Sequence, residues 1–84
     1  MLYLFAKRYS MIKQAAILYN GILYKGRRHR EIVDANKQVN LRQGQEGFVT
    51  SSGLFVDREQ AGKIAYSAGQ IKRPKKRLIS EDLW

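Results

Sequence analysis

The sequence predicts a small α+β domain, an antiparallel sheet begun by a β-hairpin and joined by two helices. Three observations carry that prediction. Asn20-Gly21 stands between two apolar runs. Asp57-Arg58-Glu59-Gln60 opens an apolar stripe at helical spacing. Polar, glycine-containing breaks at Asn40–Gly47 and Ser51–Gly53 separate the remaining segments.

Gln14–Tyr19 reads as a strand, and Ile22–Tyr24 as its partner. Asn-Gly between them is a strong hairpin signal, because both central residues of a type I′ turn need positive φ. Lys25-Gly26 ends the second strand. A helix is expected from near His29 to about Val39, on the stripe Ile32, Val33, Ala35 or Asn36, and Val39. Asn40–Gly47 reads as a loop. Phe48-Val49-Thr50 and Leu54-Phe55-Val56 read as strands about the turn Ser51-Ser52-Gly53. Asp57 is a suitable N-cap, and Gln60 three residues later completes a capping box. The helix that follows, Arg58–Ala68, carries Ala61, Ile64, Ala65 and Ala68 on one stripe, and Gly69 suits its C′ position. Lys72-Arg73-Pro74-Lys75-Lys76-Arg77 should be extended and exposed. The tail Leu78–Trp84 alternates apolar and acidic character and should dock on its own domain or on a neighbour.

Eighty-four residues allow one domain. A hydrophobic content of 44% is too high for a disordered chain. So short a chain buries only roughly 60–65% of its unfolded surface, so its core is thin. There is no cysteine and one histidine, which excludes disulfides and argues against structural zinc. Oligomerisation is the staple that remains, and a homo-oligomer is expected. Residues 1–10 read as an N-terminal extension, with Met11 an alternative start, and residues 11–84 as a single ligand-binding domain. The apolar run Leu2–Ala6 is too short for a signal core or a membrane span, so no membrane partner is expected.

The net charge is +9 and the pI about 10.2. That excess attracts polyanions or phosphate-bearing ligands. Gly26-Arg27-Arg28-His29-Arg30 is the first candidate contact. It lies where a strand gives way to a helix, and arginines there offer bidentate donors to phosphate although they oppose the helix dipole. The plainer reading is a solvated loop with a structural histidine. Lys72–Arg77 is a second basic candidate or a solvated linker. Phe48, at a loop–strand junction, is placed to stack a base or to fill the core. No Walker loop or dinucleotide fingerprint is present, and nothing in the sequence links His29 to a serine. An enzyme is therefore not expected, and neither is a cofactor.

The segments Gly21–His29, Gly47–Ala61, Ala68–Ile71 and Leu78–Trp84 together resemble small phage and prophage proteins of the first-described Thoeris anti-defence family. Those proteins are sponges for cyclic ADP-ribose signals. The resemblance covers nearly everything from Met11 onward. It implies a non-catalytic protein that sequesters the cyclic ADP-ribose isomer made by an immune TIR-domain enzyme, in the cytoplasm of the infected bacterium. It also implies capture of cyclic oligonucleotide signals of the CBASS system by some members. It further implies dimers, able to form hexamers, with nucleotide pockets at subunit junctions. The family pocket uses an arginine, an aromatic, a polar or acidic residue and a C-terminal arginine in chain order. Arg28, Phe48, Asp57 and Arg77 (or Arg73) match that order, with His29 beside the first. Independently of the resemblance, the same charge allows a small nucleic-acid-binding protein using Arg27, Arg28, Arg30 and Lys72–Arg77.

Overall fold

The computed structural model describes residues 10–84. The expected N-terminal extension therefore lies, but for Ser10, outside the described residues. The fold is α+β, as the sequence predicts. A four-stranded antiparallel sheet comprises β1 (Ile12–Tyr19), β2 (Ile22–Gly26), β3 (Gln45–Thr50) and β4 (Phe55–Asp57), in the order β2-β1-β3-β4. Two helices, α1 (His29–Ala35) and α2 (Arg58–Ser67), complete it.

The hairpin forms as expected. Asn20 and Gly21 have φ of 51° and 76°, and the turn pairs Tyr19 with Ile22. The register places Ala15 and Ile17 of β1, Phe48 of β3 and Val56 of β4 on one face. That face holds the core. Ile32 of α1, Ala61 and Ala65 of α2, Leu41 and Leu78 close over it. A bulge between Ile12 and Gln14 lets Ile12 rejoin the same cluster. α1 lies against β1 and β2, and α2 mainly against β3 and β4.

The sequence-based boundaries shift in two places. α1 stops at Ala35 rather than near Val39. Asn36 Nδ2 donates to the Ile32 carbonyl at 2.8 Å, so a side chain takes an acceptor near the helix end. Val39 and Leu41 reach the core through turns instead, Leu41 from a 3-10 turn spanning Leu41–Gln43. The second shift follows from Gly44. A Cβ there would lie 2.6 Å from Ile17 and 3.0 Å from the Leu18 carbonyl. Glycine thus lets the chain close onto β1, and β3 begins at Gln45, inside the expected loop.

α2 starts as expected. Gln60 N–H donates to Asp57 Oδ1 at 2.8 Å, and Asp57 N–H to Gln60 Oε1 at 3.3 Å. It ends in a Schellman motif, with Gly69 at φ 76° and the Gln70 and Gly69 amides bonded to the Ala65 and Tyr66 carbonyls. Gln70 also ties down the start of β1, accepting from the Ile12 amide and donating to its carbonyl.

The chain then runs back over α2. A Cβ on Gly62 would meet the Lys75 carbonyl at 2.1 Å, so only glycine admits the basic segment at this height. Leu78 is fully buried, and its main chain pairs with Arg58 on both sides: its N–H bonds the Arg58 carbonyl, and its carbonyl accepts from Arg58 Nη1. The tail docks on its own domain, with Leu83 and Trp84 against the core. Among the described residues no helix is long and apolar enough to cross a membrane.

Candidate ligand-binding cleft

Of the six residues singled out from the sequence, three lie in one seam, two line one cleft, and Arg73 joins neither. Arg28, His29 and Phe48 belong to the seam where the tail meets the sheet. His29 is 7% exposed. Its Nε2 lies 2.7 Å from the Gly47 carbonyl, which only accepts, so Nε2 carries the proton. Nδ1 is then the acceptor for Ser80 Oγ, 2.7 Å away, and Ser80 Oγ in turn accepts from the His29 amide at 3.2 Å. Burial pushes the His29 pKa below its ordinary 6.5, and Arg58 adds to that, against the raising influence of the Gly47 hydrogen bond and of Glu46 and Glu81. Neutral imidazole is therefore a structural link between α1, β3 and the tail.

Phe48 is a correction to the sequence reading. Strand register turns it into the core at 0% exposure, with the His29 ring edge-on at 5.0 Å. In this chain it presents no face to a ligand. Arg28 is likewise committed. Its Nη2 donates to the main-chain oxygen of Trp84, and its buried Nε has no partner among the described residues.

Asp57 and Arg77 come together. They line one cleft of about 520 Å³ with Arg42, Gly44, Glu46, Arg58, Glu59 and Lys76. A second cleft of about 610 Å³ adjoins it, sharing Arg42 and Glu46 and adding Arg30, Val33, Asp34 and the rim of His29. A third, of about 530 Å³, also shares Arg42, beside Lys37 and Asn40. Arg42 is thus common to three contiguous depressions. Arg73 is exposed and lines none of these three clefts.

Local structure explains the convergence. The 3-10 turn after α1 lifts Arg42 out while burying Leu41. Arg30 lies one residue past the buried His29 and stays exposed. The Gly62 crossing and the Leu78–Arg58 pairing bring Lys76 and Arg77 to the start of α2. Arg58 is ion-paired with Glu46, whereas Arg30, Arg42, Lys76 and Arg77 have no ion pair among the described residues. Exposed, unpaired guanidinium groups around a concave surface suit anionic oxygens, which they can hold bidentately. Asp57 offers less than expected, because one carboxylate oxygen caps α2.

Two of the residues that line these clefts, Arg42 and Arg58, do not stand out as candidates in the sequence. Arg42 carries no motif and becomes visible only once the loop is folded. Arg58 did carry a signal, a cation in the first turn of a helix where it opposes the dipole. No group of three metal-ligating side chains stands together among the described residues.

No curated protein and no solved structure matches this chain. A sequence family described as "Phage T4 y16D protein" matches residues 11–84, which takes in every strand and helix of the fold together with the docked tail. The chain is therefore a phage protein and belongs to the phage T4 y16D protein family.

Proposed function

We propose that this phage protein is an anti-defence sponge. It binds cyclic nucleotide immune signals, cyclic ADP-ribose isomers foremost and cyclic oligonucleotides second, and holds them without cleaving them. The observation that carries this reading is the convergence of Arg30, Arg42, Lys76 and Arg77 on contiguous clefts that also contain carboxylates. A nucleotide offers both complements at once: phosphate oxygens for the cations, and ribose hydroxyls or amino groups for the carboxylates. The likeness of the sequence to Thoeris anti-defence proteins points the same way. Two or more copies assemble in this reading, as dimers and up to hexamers, and the protein acts in the cytoplasm of the infected bacterium.

Sequestration rather than turnover fits the one nucleophile–base pair in the seam. Ser80 and His29 stand at hydrogen-bond distance, yet both are buried, and the far nitrogen of His29 is held by a main-chain carbonyl. A substrate has no route to Ser80 Oγ.

The test is incubation with a cyclic ADP-ribose isomer, removal of free ligand, heat denaturation and chromatography of what is released. Intact ligand supports the proposal, and a cleaved product or no ligand overturns it. A second reading, binding of nucleic-acid backbone, draws on the exposed Arg27, Lys72 and Arg73 outside the clefts. Rising salt separates the two. Polymer binding should weaken steeply through counterion release, whereas a pocket holding one pyrophosphate should show a shallower slope.

A further inference from the structure

The cleft beside Asp57 is charged unlike the chain that carries it. The chain as a whole has a net charge of +9. Around this cleft, however, Glu46, Asp57 and Glu59 stand among the basic side chains. Two of the three have structural work. Glu46 pairs with Arg58, and Asp57 caps α2. Glu59 has no ion pair or side-chain hydrogen bond among the described residues. It is exposed, on the first turn of α2, and lines the same cleft as Arg42 and Arg77.

A surface meant only to hold polyanion would gain from losing such a group. A carboxylate accepts hydrogen bonds and donates none, and it repels a terminal phosphate, which bears roughly −1.5 to −2 charges near neutral pH. A phosphate sealed inside a nucleotide differs. Each bridging phosphate carries a single charge, and the ribose beside it donates hydroxyl protons that a carboxylate can accept. Glu59 therefore penalises one class of anion and suits the other. Its position in the first turn also complements the helix dipole. That role accounts for a contribution to stability but predicts nothing about ligand choice.

We propose that Glu59 is the specificity determinant of the cleft: it turns away terminal phosphates and polyphosphates and accepts a nucleotide whose phosphates are bridged on both sides and flanked by hydroxyl donors. This rests on the reading of the cleft as a nucleotide site. Arg42 and Arg77 supply attraction to either class, and Glu59 divides them.

The test is calorimetric titration of the full chain and of Glu59→Gln with two probes, cyclic ADP-ribose and inorganic triphosphate. The native protein should prefer the cyclic nucleotide. Glu59→Gln should bind triphosphate about tenfold more tightly, as expected for removal of a like charge. The same substitution should change cyclic nucleotide affinity by less than about threefold, because the amide oxygen still accepts. Glu59→Ala should move triphosphate binding in the same direction and weaken the cyclic nucleotide. Melting curves accompany each variant, since a helix-dipole role shifts the midpoint but not the ratio of the two affinities. An unchanged ratio overturns this inference while leaving the nucleotide site standing. Failure of both probes to bind the native protein overturns the site and the inference together.

Discussion

Arg28-His29 and Arg30 are neighbours in one basic run, yet they do different work. Arg28 and His29 are locked into the seam, against Trp84, Ser80 and the Gly47 carbonyl. Arg30 opens onto a cleft with Arg42. The cause is helical geometry. α1 begins at His29, and successive side chains diverge by about 100° around a helix axis. A run of like charges on a strand–helix junction is therefore not a single functional unit. One part becomes architecture and the next becomes surface. The C-terminal segment repeats the pattern, with Leu78 and Ser80 buried in the seam and Lys76 and Arg77 at the cleft.

This contrast can be broken by substitution on either side. The largest effect belongs to Phe48→Ala, which removes a fully buried ring from the core. It should cost about 3–5 kcal/mol and abolish cooperative unfolding or lower its midpoint sharply in a urea titration. Were Phe48 a ligand-stacking residue on the surface, the midpoint would hold and only binding would fall.

Gly62→Ala is next. The added methyl meets the Lys75 carbonyl, which is main chain and has to move. A loss of about 1–3 kcal/mol is expected in thermal melts, with weaker ligand binding because Lys76 and Arg77 shift. Ser80→Ala belongs to the same range. It strips the His29 ring nitrogen and amide of their shared partner, at about 1–3 kcal/mol.

The seam should also respond to acid. The folded pKa of His29 lies below its ordinary 6.5, so between those two values the unfolded chain binds the extra proton. Stability from this group is present above 6.5 and declines as pH falls toward the folded value. Urea midpoints measured downward from neutral pH should show that decline, and His29→Gln should remove it. The exposed, unpaired cation Arg42 should be nearly silent in stability assays. Arg42→Gln changes an exposed side chain, and its effect on stability should lie within about 0.5 kcal/mol.

The elements with local determinants were legible in the sequence. Asn20-Gly21 dictates its turn through backbone sterics, and Asp57 with Gln60 dictates the start of α2 through capping. Features set by long-range contact were not. β3 starts early because Gly44 packs on Ile17, and α1 ends early because Asn36 bonds back to Ile32. Of the candidate site residues, Asp57 and Arg77 share a cleft. Phe48 and His29 have chemistry that suits a site as well as a core, and only sheet register and tail docking place them in the seam. Arg42 lies in a stretch with no periodicity, so its convergence with residues more than thirty positions away appears only in three dimensions.

The most direct measurement is calorimetric titration of a cyclic ADP-ribose isomer into the native protein and into Arg42→Gln, with melting curves recorded beside them. The division between seam and cleft predicts an affinity at least about tenfold weaker for Arg42→Gln, from the loss of charge-assisted hydrogen bonds, with an unchanged melting midpoint. Equal affinity in the two proteins, with both folded, would contradict it.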